Sequence, residues 1–162
     1  MRDSNESSRQ ARAFFCGKRR ATRWRCVAAL RTPRDGRSRT LVEVWQTAPN
    51  QLYDVQDKDQ PGGHLRGSFR SDAAGAFRFR TIMPVSYPIP DDGPAGQLLA
   101  AMGRHPFRPA HIHFMISAPG YRTLVTHLFL DGDRYLGSDA VFGVKPSLVI
   151  RPSLPGAIRL AA

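Results

Sequence analysis

HIHFMISAPGYRTLVTHLFL, residues 111–130, is the stretch whose reading decides the fold. Its two ends, His111–Ala118 and Thr123–Leu130, are rich in β-branched and aromatic residues, and Pro119-Gly120 between them reads as a turn. Two such runs form an antiparallel pair. In a strand, residues two apart point the same way, roughly 6.5–7 Å from each other. Ile112, Phe114 and Ile116 therefore share one face, which seeks a core. His111 and His113 share the other.

Working outward, the same grammar recurs. Leu41-Val-Glu-Val-Trp-Gln46 begins a strand, Leu65, Ser68 and Phe69 lie in a second β-like run, and Phe77-Arg-Phe-Arg-Thr81 alternates cleanly. Ser147–Ile150 makes a last strand. Residues 47–63 and 84–94 carry prolines and glycines and read as long loops. Gln97–Met102, ended by Gly103, is the one good helix candidate. Short strands, Gly/Pro turns and one helix predict an all-β sandwich of mainly antiparallel strands, with no internal repeat.

At 162 residues the length suits a single domain with a real core. No run of 18 apolar residues occurs, so no spanning helix and no membrane partner are expected. Cys16 and Cys26 exclude a disulfide scaffold or a four-cysteine zinc site, and they suit a reducing cytoplasm. The net charge of +11 is uneven: residues 1–40 hold 12 Lys and Arg against 3 acids, and residues 41–162 hold 12 against 10. Arg9, Arg12, Arg19, Arg20, Arg23 and Arg25 could mark an RNA-binding arm. The preferred reading is a poorly ordered basic extension over 1–40 without a nucleic-acid role, with at most one strand near Trp24–Leu30.

The chemistry concentrates at Arg108-Pro-Ala-His-Ile-His113. Two imidazoles on one strand face can converge on a metal ion, or be two ordinary polar histidines. His64, His105 and His127 sit in unmatched settings. Tyr53 and Tyr87 each lie in a Pro/Gly-flanked loop, where functional groups are often carried. A free phenol, with a pKa of about 10, ligates poorly at neutral pH, whereas a hard trivalent cation favours the phenolate. Two tyrosines, two histidines and a ferric ion make a self-consistent set; half-buried aromatics are the alternative.

The chain resembles the intradiol ring-cleavage dioxygenases, and most of all their hydroxyquinol 1,2-dioxygenase branch. The resemblance rests on residues 41–46, 52–56, 77–90, 103–114 and 124–133, continuing to Gly143-Val-Lys145. It implies a β-sandwich catalytic domain over 41–152 followed by a tail, 153–162. It implies one Fe(III) per subunit held by Tyr53, Tyr87, His111 and His113. It implies that a catechol-type diol and O2 are the substrates, hydroxyquinol favoured, with both oxygen atoms inserted to give a muconate- or maleylacetate-type diacid. Tyr87 would take a proton from the diol, and Arg108 would stabilise negative charge beside the ring. Val85, Pro88, Ile89 and His127 are the expected substrate contacts.

Relatives of that family carry a helical segment and further strands before the region at Leu41, and the helices form a dimer contact. Residues 1–40 and the ending Arg151-Pro-Ser-Leu-Pro-Gly156 do not match that pattern. The expectation is a truncated copy without the dimer contact, and the competing outcome is a catalytically impaired sandwich remnant.

Overall fold

The structure is a computed structural model that describes residues 40–72 and 75–151 in full and, before them, the backbone of strands at 14–19 and 23–29. Its elements are β1 (Phe14–Arg19), β2 (Arg23–Ala29), β3 (Leu41–Trp45), β4 (Arg66–Arg70), β5 (Ala76–Ile82), β6 (Tyr87–Pro88), α1 (Pro94–Ala101), β7 (Phe107–Arg108), β8 (His111–Ser117), β9 (Leu124–Leu130) and β10 (Val149–Ile150). Five strands form one sheet in the order β10-β9-β8-β3-β4, and three form another, β1-β2-β5. The two-residue strands β6 and β7 pair separately. Every pairing is antiparallel except β10 on β9, which is parallel.

Period-two alternation fixes what faces what. Val42 and Val44 of β3, Ile112 and Phe114 of β8, and Leu128 and Leu130 of β9 point off one face of the five-stranded sheet. Phe77 and Phe79 of β5 meet them from the other sheet. The rings of Phe79 and Phe114 lie edge to face, 6.4 Å apart at their centroids. Burying a side chain such as Phe114 removes it from water at a gain of about 1.5–3 kcal/mol, so this shared layer holds the sandwich together. The fold is the all-β sandwich read from the sequence, with one short helix and long loops.

Three details differ from the sequence reading. The helix starts at Pro94, because a proline fits the first helical position, where its missing N–H costs nothing. The last strand, expected over Ser147–Ile150, is shortened to Val149–Ile150 by a single 3-10 turn at Pro146–Leu148 and pairs parallel to β9. Strands β1 and β2 pair with each other and β2 pairs with β5, inside the segment read as a basic extension with at most one strand. β2 covers the strand expected near Trp24–Leu30; β1 is the addition, since Phe14-Phe-Cys-Gly-Lys-Arg19 shows no alternation, yet a ladder is made by backbone groups that every residue but proline supplies. The rest of that extension and the 153–162 tail lie outside the described residues.

Candidate metal centre

The outer face of the five-stranded sheet, turned away from the core, carries the polar residues. Register sets them in one row: Arg66 opposite Trp45, Trp45 opposite His113, and His113 opposite His127. Cross-strand neighbours on one face are the contacting unit of a sheet, and the rings behave so. Trp45 and His113 stack with centroids 5.0 Å apart and planes 2° from parallel. His113 and His127 meet edge to face at 5.5 Å. His111, two residues back along β8, stands opposite Phe129, which is fully buried beside it on the same face.

Loops bring in the two tyrosines. The turn at 53–57 is held by its own chain: the N–H groups of Gln56 and Asp57 donate to Tyr53 O, and Tyr53 N–H donates to Gln56 Oε1. Asn50 Nδ2 donates to Asp57 Oδ2 at 2.7 Å and steadies the turn. Tyr87 pairs with Arg108 across β6 and β7, so the ladder itself sets one beside the other. Asp133 accepts from Ser86 Oγ, from the N–H of Ala110 at 2.9 Å and from the N–H of Tyr135 at 2.8 Å. One carboxylate thus ties the segment before Tyr87 to the residue before His111.

These elements bring four side-chain atoms to one point. Tyr53 Oη donates to Tyr87 Oη at 2.8 Å and lies 3.1 Å from His113 Nε2, which is 2.9 Å from His111 Nε2. His111 Nδ1–H donates to Pro109 O at 2.7 Å, which leaves Nε2 with its lone pair facing the cluster. Atoms bound to one ion at about 2.0–2.2 Å sit about 2.8–3.5 Å from each other, the spacing seen here. Among the described residues no group of three or more His, Cys, Asp and Glu is placed to hold a metal ion; this set draws half its donors from tyrosine. Two neutral nitrogens and two ionisable phenols fit a hard, highly charged cation.

The electrostatics agree with the donor set. Burial holds the His111 imidazolium down to about 2, helped by His113 and Arg108. Burial, then His127 and Arg108, hold His113 at about 4. Both rings are thus neutral near pH 7, the form that ligates. Burial and the hydrogen bond to Tyr87 push the Tyr53 phenol well above its ordinary value. Without a cation Tyr53 stays protonated, so its phenolate form requires one.

Arg108 is the fixed positive charge of the site. It is buried, its Nε donates to Asp139 Oδ1 at 3.2 Å, and its Nη1 lies 3.3 Å from His111 Nε2. Burial alone would weaken its charge, but Asp139 and Tyr87 outweigh burial and raise its pKa. Asp139 is buried and also accepts the N–H of Gly143 at 2.8 Å. A Cβ at Gly143 would stand 3.1 Å from Arg108 Nη2 and from Asp139 Oδ2 and 3.3 Å from His127 Nε2, so any side chain there presses on these three groups. His127 lies 3.4 Å from Gly143 O through Nε2, and burial lowers its pKa.

Val85, Pro88 and Ile89 act here through their backbone. Val85 O accepts from Thr47 Oγ1, Pro88 pairs with Phe107, and Ile89 N–H donates to Pro106 O. His105 stands apart from the cluster, bonded to Ser138 and to the N–H of Phe107. Trp45, Asp133, Asp139 and Gly143 were not singled out by sequence reasoning. For Trp45 a signal existed, since strand parity sets it opposite Val42 and Val44. No spacing marks the two aspartates.

Residues 26–157 match the Dioxygenase_C family, described as Dioxygenase. The chain is 57% identical over 117 residues to 6-chlorohydroxyquinol 1,2-dioxygenase of Cupriavidus pinatubonensis, an alignment covering 71% of this chain and 42% of that protein. The crystal structure of hydroxyquinol 1,2-dioxygenase from Pseudomonas putida DLL-E4 superposes with a TM-score of 0.66 at 61% identity, over 69% of this chain and 39% of that one. Chlorocatechol 1,2-dioxygenase from Pseudomonas putida superposes at 0.69 with 34% identity, over 77% of this chain and 51% of that one. The chain belongs to the intradiol ring-cleavage dioxygenase family, whose enzymes use iron. It spans about two fifths of the length of the curated relatives it matches.

Proposed function

We propose that this chain is a ferric intradiol dioxygenase acting on a catechol-type diol, with Tyr53, Tyr87, His111 and His113 as the iron ligands. The observation that carries the proposal is the run of four donor atoms at 2.8, 3.1 and 2.9 Å. Tyr53, Tyr87, His111 and His113 would hold Fe(III), which would supply Lewis acidity toward the diol. The chain's own groups do the rest. Tyr87 Oη takes one proton from the diol. Arg108, immobilised by Asp139, stabilises negative charge that develops on the substrate, in a site where burial strengthens the interaction. Val85, Pro88 and Ile89 flank Tyr87 and contact the ring.

Hydroxyquinol is the favoured substrate. His127 is the polar group we assign to the third hydroxyl, since its imidazole lies beside both histidine ligands. A site that hydrogen-bonds a substrate hydroxyl discriminates strongly against the analogue lacking it. Among the described residues no helix is long and apolar enough to cross a membrane. With two cysteines, Cys16 and Cys26, a cytoplasmic setting suits the chain.

Purification from iron-replete cells tests the reading. The protein should be wine-red from tyrosinate-to-Fe(III) charge transfer and consume one O2 per hydroxyquinol, faster than with catechol. A colourless, iron-free preparation refutes the metal reading. Faster turnover of catechol refutes the substrate assignment alone.

A further inference from the structure

Arg66 is no donor, yet it touches both structures that carry donors on one side of the cluster. Its Nε and Nη2 grip the Asp54 carboxylate at 3.0 and 2.9 Å. Asp54 is the residue after Tyr53. The same guanidinium lies over the Trp45 ring, 5.6 Å from its centroid. Trp45 in turn stacks on His113. Sheet order places β4, β3 and β8 side by side, so Trp45 stands between Arg66 and His113. Gln46 N–H donates to Leu65 O at 3.3 Å, so the loop bearing Tyr53 leaves β3 and enters β4 beside the same row.

Resting on the iron reading above, we propose that Arg66 is a positioning residue that fixes two of the four ligands at once: Tyr53 through Asp54 and the His113 ring through Trp45. The chemistry of the side chain suits the task. Only a planar fork can make two parallel bonds to a carboxylate and lie flat on an indole. Outer partners that orient ligands typically change metal affinity 10–100-fold when removed. Arg66 is partly exposed, and its clamp gains its worth from geometry: a fork held by a carboxylate that is itself almost buried. Trp45 is thereby held between the guanidinium on one side and the His113 ring on the other.

The test uses the full chain loaded with Fe(III). Release of the iron to excess EDTA is followed through the tyrosinate absorbance, and amide exchange at Gln56 and Asp57 is followed in the metal-free protein. Arg66→Ala should speed iron release about 10-fold and accelerate exchange at both amides. Arg66→Lys keeps the charge without the fork and should recover little of the loss. Asp54→Asn should speed release less and should not add to Arg66→Ala, because Arg66 reaches Tyr53 through Asp54. Arg70→Ala, an exposed arginine at the other end of β4, should change nothing. Release and exchange at wild-type rates in Arg66→Ala overturn the proposal, as does full rescue by lysine. A wild-type chain that takes up no Fe(III) overturns the iron reading instead, and exchange at Gln56 and Asp57 then still decides whether Arg66 fixes the loop.

Discussion

His111 and His113 are carried by the middle strand of the large sheet, and Tyr53 and Tyr87 by loops and a two-residue ladder beside it. The histidines inherit their position from a pleat whose other side is packed core: Ile112 and Phe114 are buried between them and beyond them. The pleat sets where both side chains leave the sheet, and stacking on Trp45 holds the plane of the His113 ring. The tyrosines are aimed by polar clamps, Asp54 with Arg66 for one and Asp133 with Ser86 for the other. A strand-borne group is positioned by the fold, whereas a loop-borne group needs dedicated partners that do no chemistry themselves.

Removing a donor from either half is the largest effect expected. Tyr87→Phe and His113→Ala should each weaken Fe(III) binding by more than about 100-fold, beyond the 10–100-fold that loss of an outer partner costs. Metal content after dialysis and loss of the red band measure it. Equal losses mean that both halves hold one ion. A His113→Ala protein that keeps iron and colour would show that the tyrosines bind by themselves, and the comparison would fail.

Next in size is the loss of a loop clamp. Asp133→Ala strips an acceptor from Ser86, Ala110 and Tyr135, and should cost about 2–4 kcal/mol in denaturant unfolding, given about 1.5–3 kcal/mol for a hydrogen bond to a charged group. Iron release should also accelerate about 10-fold, the lower end for an outer partner. If stability falls while iron release is unchanged, the clamp serves the fold and leaves Tyr87 in place without it.

That difference also explains what could be read in advance. The hairpin of residues 111–130, its core face and the shared histidine face follow from alternation alone, because a strand has a period of two and one face must be buried. The pairing of His113 with Trp45 and Arg66 does not follow, since register between strands distant in the chain depends on the whole sheet. Asp133 and Asp139 were illegible for a further reason. Each bonds one side chain that the fold brings from far along the chain, Ser86 at 47 residues from Asp133 and Arg108 at 31 from Asp139, and no local pattern records such a meeting. The strand at 23–29 falls where one strand near Trp24–Leu30 was expected, whereas Phe14-Phe-Cys-Gly-Lys-Arg19 has no alternation to announce the strand at 14–19.

Titration of the metal-free protein separates the halves by pH. His111 and His113 titrate at about 2 and about 4 in the folded chain, against about 6.5 in the unfolded one. Below 6.5 the unfolded state binds more protons, so stability is complete above that pH and falls as pH drops toward 4. Each group contributes a slope of at most about 1.4 kcal/mol per pH unit. Tyr53 has the opposite sense. Its folded pKa is raised above the unfolded value of about 10, so its contribution is complete below pH 10 and is lost as pH rises beyond it. The histidine half therefore governs the acid limb and the tyrosine half the alkaline limb. Denaturant unfolding across pH 5–11 should show both, with His111→Asn flattening the first and Tyr53→Phe the second. A His111→Asn protein whose acid limb matches wild type would mean that the ring is charged or solvated in the folded chain, and the strand-borne half would lose the desolvation that keeps it ready to ligate.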